Sequence, residues 1–423
     1  MPQEKDLKRR AANGYVAGRK PELKLFREMV GEKSPYSLLN VYGPGGIGKT
    51  VVAHLFEARC ARWGLPYASV SGDDLTAAGF EELLRGLRSS FGKTSPELVK
   101  AGVWRELDKR LAGYQQLKQV RDGGEINRVF DAAGRLVEPA PLKAAVELLH
   151  GTYAGLEAYL AQKDNFQRYL DGADTWLTQS FVKSLGLILK KAQRVVLLID
   201  TYEVMAGWDH WLHHVFVPSL PAEARVVILG KDKLGPDWSE AYKERLRCYE
   251  LHELAEGEAK DYLRHHGLQD EAALERTYAF TGGYPLCLAL AVELAKDNQG
   301  MNWEKVEGLQ NIADRAQIAS QLLERILKQT EVREVRDFLE KGVIVEWFDP
   351  EAVSYVLELE PERGAEIYEK ITQFSFVQRH PRGAKFHDRV RELLIERLRF
   401  NNPGEYKRLV TRWLAYLRQK AGV

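Results

Sequence analysis

The stretch Asn40–Val52 reads NVYGPGGIGKTVV. Inside it, Gly43-Pro44-Gly45-Gly46-Ile47-Gly48-Lys49-Thr50 fits G-x-x-x-x-G-K-[ST] in full. The apolar run Ser37–Tyr42 before it has the length of a buried strand. After it, Val51, Val52, Leu55 and Phe56 recur at helical spacing as far as Gly64, a helix stop. Strand, loop and helix together are the context this chemistry needs. Glycines let successive backbone N–H groups turn inward as an anion nest at a helix N-terminus. Lys49 has the reach for β- and γ-phosphates, and the Thr50 hydroxyl suits Mg²⁺. A glycine-rich turn without a ligand accounts for neither side chain. The candidate nucleotide-binding set around the loop is Gly43, Gly45, Gly46, Ile47, Gly48, Lys49, Thr50 and Val51.

A metal on such a loop needs an acid. Arg194–Asp200 (RVVLLID) is a near-continuous apolar run ending in Asp200, the pattern of a buried parallel strand. Ligands sit at the C-terminal ends of such strands, so Asp200 is the candidate second Mg²⁺ residue with Thr50. Its competing role is a helix cap. Glu203 either orients the attacking water or is a first-turn glutamate that favours the helix dipole. A third apolar run, Ala224–Leu229, ends at Gly230-Lys231. Lys231 either senses a γ-phosphate from the strand tip or is a solvated loop lysine. Lys49, Asp200, Glu203 and Lys231 form the candidate catalytic set. No Asn or Thr precedes Lys231, so the guanine signature N-K-x-D is absent.

Several elements must position these residues. As far as residue 250, apolar strand runs alternate with helices, the pattern of a parallel α/β sheet. The long interval from about 80 to 190 begins and ends with helical patterns, and INRVFDAAGRLVEP at its centre alternates like a small hairpin. It reads as an insertion on the core. From Glu256 to about Asn298 the pattern is helical, broken by TGGYP. From Gln321 come further helices, one opened by Asp349 as N-cap and Pro350 at N1, then two short strand patterns and a last helix. Helices followed by a two-stranded wing predict a winged helix.

With these motifs in order, the chain resembles the STAND class of signal-transduction ATPases, which includes the NB-ARC proteins. YVAGRKPEL (Tyr15–Leu23) is similar to the entry motif beside the adenine, which implicates Val16 and Arg19. LLIDTYE (Leu197–Glu203) is similar to a bacterial Walker B, with Thr201 where many members have a second acid. VVILGKDKL (Val226–Leu234) is similar to the sensor strand, with Lys231 where many have arginine. TGGYPLCLAL (Thr281–Leu290) carries Gly283 and Pro285 in the places of the G-x-P motif. KFHDRVREL (Lys385–Leu393) is similar to M-H-D with Phe386 for methionine. The resemblance implies an α/β P-loop NTPase of the AAA+/ASCE type followed by a helical lid and a winged helix. It implies segments at 1–33 (entry), 34–252 (ATPase), 253–320 (lid), 321–400 (winged helix) and 401–423 (C-terminal helix). It also implies that Pro285 contacts the nucleotide and that His387 binds the β-phosphate of ADP, against the plainer role of a hydrogen-bonded core histidine. The expected function is a slow ATPase switch, closed with ADP and open with ATP, which self-associates in the ATP state and answers to a sensor or effector protein. About fifteen residues precede the entry motif and no repeat of 20–50 residues is visible, so the chain reads as a bare switch module or a part of a longer one.

Composition narrows the field. The chain has 423 residues, enough for two to four domains. Lys plus Arg is 61 and Asp plus Glu is 60, so no global charge draws it to nucleic acid or an anionic membrane. The charged start MPQEKDLKRR is no signal peptide, no apolar run has membrane-spanning length, and the three scattered cysteines suggest a reducing compartment, so a cytoplasmic location is expected. The alternative is a DNA-binding ATPase that uses the winged helix. Its candidate recognition helix, Pro361–Gln373, sets three glutamates against one arginine and one lysine, which suits a phosphate-lined groove poorly. A small-molecule kinase leaves the wing and the Phe386-His387-Asp388 turn unexplained.

Overall fold

The computed structural model describes residues 17–75, 79–99, 102–122, 170–297, 300–306, 315–374, 376–380 and 382–421. Tyr15, Val16 and the hairpin expected within residues 126–139 lie outside the described residues. The chain divides into two compact units. One draws on Leu23–Tyr42 and Leu55–Tyr249, and the other on Met1–Glu22, Gly43–His54 and Glu250–Val423.

The first unit is built on a five-stranded sheet of β1 (Leu38–Tyr42), β2 (Tyr67–Ser71), β3 (Val195–Asp200), β4 (Ala224–Gly230) and β5 (Leu246–Glu250), in the order β2-β3-β4-β1-β5. The pairs β2–β3, β3–β4 and β4–β1 are parallel, with Ser71 opposite Asp200 and Tyr42 opposite Gly230. Every residue of β3 and β4 is buried. A strand covered on both faces has no polar side to alternate with, hence the continuous runs VVLLID and ARVVILG. One polar residue breaks the apolar run of β1. Asn40 is fully buried; its Nδ2 donates to the Ile228 carbonyl at 3.2 Å and its Oδ1 accepts from Leu234 N at 3.1 Å. Both ends of its amide are satisfied, so burial costs little, and the side chain ties β1 to β4 and to the loop after it.

Helices α1 (Lys20–Val30) and α2 (Lys49–Trp63) meet through Phe26 and Phe56, whose rings stack 4.3 Å apart. α3 (Phe80–Thr94), α4 (Arg105–Asp122) and α5 (Ala173–Leu189) open and close the interval read as an insertion, and they are helical as the pattern predicts. They are more than decoration. Leu83, Leu87, Phe91, Trp104, Leu111, Leu177 and Phe181 share one buried cluster with the sheet residues Val70, Val195 and Leu197. The sheet could not exclude water from this face without them.

In the second unit, α6 (Glu256–His265), α7 (Glu271–Thr281) and α8 (Pro285–Ala295) are followed by a two-residue strand pair, β6 (Lys296–Asp297) and β7 (Gly300–Met301). Next come α9 (Arg315–Gln329), α10 (Arg333–Lys341), α11 (Pro350–Leu357) and α12 (Pro361–Ile371), and then the antiparallel hairpin of β8 (Val377–His380) and β9 (Gly383–Phe386). α13 (Asp388–Asn401) and α14 (Pro403–Ala421) complete the order. Phe348 exchanges main-chain hydrogen bonds with Ala384 at 2.7 and 2.8 Å, adding a bridge at the hairpin edge. Its ring packs 4.9 Å from Phe338 and 5.1 Å from Phe386, so the apolar residue at the first place of the Phe386-His387-Asp388 turn is a core anchor. No helix among the described residues is long and apolar enough to cross a membrane.

Asp349 caps α11 as its sequence position predicts. Its carboxylate accepts from Ala352 N at 2.8 Å, and Pro350 opens the helix. Losing such a cap typically costs about 1 kcal/mol. Asp349→Ala is therefore expected to lower the unfolding free energy of the helical unit by about that much, as read by denaturant titration of its circular dichroism.

Candidate functional site

The loop Gly43–Gly48 lies in the second unit together with the first turn of α2. Gly46 and Gly48 have φ of +91° and +98°, a region where a side chain strains the backbone. A methyl group at Gly46 would also stand 2.9 Å from Leu286 Cβ. The pattern of glycines is thus dictated by backbone turn and close approach. Lys49 Nζ donates to the Gly43 carbonyl at 2.6 Å and to the Pro44 carbonyl at 3.1 Å, which folds its amine back over the loop. Thr50 and Val51 are exposed on the first turn of α2.

Residues distant in sequence surround this loop. Gly18 and Arg19 both adopt left-handed backbone, φ +66° and +61°. For arginine this conformation costs roughly 1–2 kcal/mol. The turn delivers the buried guanidinium to three acceptors: Ile47 O at 2.6 Å, His252 O at 2.7 Å and Glu22 Oε1 at 3.3 Å. From the other side, the Tyr284 hydroxyl donates to Gly45 O and Leu286 N to Gly46 O at 3.2 Å. Pro285 stands between them at the first position of α8. Arg389 lies along Gly45, its aliphatic carbons 3.6 Å from where a methyl there would be, while its Nη1 donates to Glu392 at 2.9 Å.

Three helix N-termini therefore meet at one loop: α2 carries it, α8 touches it through Leu286, and α13 touches it through Arg389. A helix N-terminus carries about half a positive charge, so the three together favour an anion here, although the Leu286 amide of α8 is already committed to Gly46 O. His387 caps α13. Its main-chain N–H donates to Phe376 O at 2.7 Å, yet its buried Nδ1 has no hydrogen-bond partner among the described residues. Burial above all holds its imidazole below the usual histidine range. Asp388 and Glu392 pull the other way, while the charges of Lys385 and Lys49 push it further down. The influence of Lys49 places this ring within electrostatic reach of the loop.

The sheet unit gathers the remaining candidates at the C-terminal ends of β3 and β4. Asp200 is 5% exposed, and its Oδ1 accepts from Thr201 N at 2.9 Å. Thr201 has φ +55°, a conformation that a β-branched residue rarely adopts. Its hydroxyl lies 3.2 Å from that of Ser71 at the end of β2. Such strain clusters at functional sites, which makes this turn beside a buried carboxylate a candidate. Glu203 sits in the first turn of the short helix Tyr202–Trp208, and its carboxylate accepts from the main-chain N–H of Lys231 at 3.1 Å. Glu203, Asp200 and Lys231 thus occupy neighbouring strand ends, with the Lys231 side chain exposed.

Tyr284 and Arg389 were not singled out by sequence reasoning, although each adjoins a residue that was. The signal for Tyr284 was the pair Gly282-Gly283 before it. The two have φ of +58° and +72°, and a methyl on Gly283 would meet Leu254 O at 2.2 Å. A double-glycine turn of this kind fixes the direction in which the next side chain leaves the backbone.

No protein-family model matches this chain, and no curated protein matches it. Among solved structures it is similar to a signal-transduction ATPase with numerous domains (STAND) and a tetratricopeptide repeat sensor, from Pyrococcus horikoshii. The TM-score is 0.50 and the identity 16%, over 96% of this chain and 45% of that one. The chain thus spans less than half the length of that protein, and the likeness is one of fold. The resemblance to the STAND class read from the motifs is borne out at that level, as an α/β fold of the P-loop NTPase kind. The ORC1 protein of Aeropyrum pernix, solved in complex with DNA, matches more weakly, with a TM-score of 0.33 and 14% identity over 90% of this chain and 93% of that one.

His387 generates a pH prediction. Its folded pKa lies below its unfolded value of about 6.5, so the native unit binds fewer protons than the unfolded chain just below that pH. Its contribution to stability is present above about pH 6.5 and is lost as the pH falls from there toward the folded pKa. Melting curves of the wild type and His387→Asn, run side by side from about pH 7.5 to 5, should diverge in slope below pH 6.5, the wild type losing more. Parallel curves would mean that the imidazole is not held neutral by burial.

Proposed function

We propose that this protein is a nucleotide-operated switch of the STAND type that binds ATP and ADP with Mg²⁺ and hydrolyses ATP slowly. The observation that carries the reading is the convergence of three helix N-termini and Lys49 on a loop of complete phosphate-binding pattern, with the unpartnered, buried Nδ1 of His387 in the same unit. A diphosphate satisfies all of these groups together: its oxygens take the loop amides and Lys49, and one takes an N–H from the imidazole. Gly43, Gly45, Gly46, Ile47, Gly48, Lys49, Thr50 and Val51 line the phosphate side. Arg19, Pro285 and, by resemblance, Val16 belong to the nucleotide pocket. Arg19 acts through carbonyl groups, because its guanidinium is committed to Ile47 O and His252 O.

Mg²⁺ in such sites keeps several waters and takes one or two protein oxygens plus phosphate oxygens. By the sequence pattern, Thr50 and Asp200 are the residues that would hold it, and the ion would neutralise charge on the phosphates. The pairing of Glu203 with Lys231 N supports a positioning role for that carboxylate at the strand ends. In this reading α6–α8 are the lid, and α9–α13 with β8 and β9 are the winged helix. ADP closes both over the loop through Pro285 and His387. ATP opens them and exposes a surface for self-association. The DNA-binding reading is disfavoured by α12, whose Arg363 is committed to Glu334 at 2.7 Å and Glu366 at 2.7 Å.

The test is direct. Purified protein, denatured and chromatographed, should release adenine nucleotide. Lys49→Ala removes charge-assisted hydrogen bonds worth roughly 1.5–3 kcal/mol, so ADP and ATP should both bind about tenfold to a hundredfold more weakly by calorimetry. Unchanged affinity for both sinks the reading. His387→Ala should release ADP about tenfold faster in stopped flow with a fluorescent analogue, since the lock goes while the loop contacts stay. Release at the wild-type rate would reduce His387 to a core histidine.

A further inference from the structure

We infer that Tyr284 and Arg19 are positioning residues for the phosphate loop, and that through Tyr284 the docking of α8 sets whether the loop can present its amides to a phosphate. The inference rests on the nucleotide reading above and deepens it.

The argument starts from the peptide plane. In a trans peptide the carbonyl of one residue and the N–H of the next point in opposite directions, and there is no cis peptide among the described residues. Fixing a carbonyl therefore fixes the N–H behind it. Three consecutive loop carbonyls have a donor each. Gly45 O takes the Tyr284 hydroxyl, Gly46 O takes Leu286 N at 3.2 Å, and Ile47 O takes Arg19 at 2.6 Å. These bonds orient the peptide planes that carry the N–H groups of Gly46, Ile47 and Gly48; in this structure the Ile47 N–H turns back to Pro44 O at 3.4 Å, and a phosphate would have to take it over. Glycines cannot hold this shape by themselves, because Gly46 and Gly48 gain freedom at the very positions where order is needed.

The donors come from two places. Arg19 belongs to the entry segment, anchored on His252 O and Glu22. Tyr284 and Leu286 open α8, and Tyr284 is also its N-cap. Tyr284 is 7% exposed, and its ring edge would stand 3.3 Å from a methyl on Gly46. Its path is fixed by Gly283, whose carbonyl accepts from Leu254 N at 3.0 Å. Any motion that withdraws α8 removes two of the three carbonyl donors at once. The opening that ATP brings on the reading above therefore leaves the first turn of α8 on the loop, and only its full withdrawal costs phosphate affinity.

The decisive variant is Tyr284→Phe, which keeps the ring against Gly46 and removes only the hydroxyl. Two ligands are titrated by calorimetry with Mg²⁺ present: ADP and inorganic pyrophosphate, which has no base. A neutral hydrogen bond contributes about 1 kcal/mol, so both should weaken by the same factor of about fivefold, while the melting temperature of the ligand-free protein barely moves. Arg19→Lys, which keeps the charge and loses the fork, should show the same joint loss. If ADP weakens and pyrophosphate does not, Tyr284 acts through Pro285 on the base side and the inference is overturned. It is equally overturned if the wild type binds both ligands, Lys49→Ala binds neither, and Tyr284→Phe matches the wild type. A wild type that binds neither ligand removes the nucleotide reading itself.

Discussion

A backbone that offers its N–H groups to an anion must send its carbonyl groups the other way, and each of those needs a donor when water is kept off. The Gly43–Gly48 loop meets this requirement with groups from far along the chain: a guanidinium from residue 19, a hydroxyl from residue 284 and an amide from residue 286. This explains why one compact unit draws on three separated stretches of sequence. It also explains why Arg19 is held in strained left-handed backbone. An unsatisfied Ile47 carbonyl in a buried place would cost about as much as the strain does, roughly 1–3 kcal/mol.

The charge at the loop is largely dipolar. Three helix ends contribute partial charges that cannot be titrated away, and Lys49 adds one full charge. A second full positive charge, at His387, would raise the repulsion within the ligand-free unit. Burial keeps the imidazole neutral instead, so it can donate one hydrogen bond without adding charge. The acids on the strand ends are held in a similar way. The Asp200 carboxylate is steadied by the main-chain amide of Thr201, and that of Glu203 by the amide of Lys231.

How far the sequence disclosed this depended on the range of the interaction. β1, β3 and β4 were legible because a buried strand must be apolar throughout, and the Asp349 cap because it acts within three residues. The flanking glycines of Gly43–Lys49 announced the turn for the same local reason. β2 (YASVS) and β5 (LRCYE) were not picked out, since edge strands are short, mixed in polarity and resemble loops. The helices bounding residues 80–190 could be read, but not their role, because that Leu87 packs with Val70 and Leu177 is a fact of three dimensions. Likewise nothing near Gly45 forecasts a tyrosine 239 positions away. Resemblance to known motifs supplied Pro285 and His387 as expected nucleotide contacts. It missed Tyr284 and Arg389, whose partners are main-chain atoms and a glycine with no side chain to signal the contact.

The same separation has a consequence for biosynthesis. A ribosome adding ~5–20 residues per second releases the Gly43–Gly48 loop tens of seconds before it makes Tyr284 and Leu286, and later still Arg389. During that interval the loop has Arg19 but lacks the groups that hold Gly45 and Gly46. A nascent chain therefore lacks the donors that hold the Gly45 and Gly46 carbonyls while most of it is still unmade. The loop takes its final form late in synthesis, when α8 and then α13 have left the exit tunnel, and chains cut short before α8 carry the complete motif without the means to shape it.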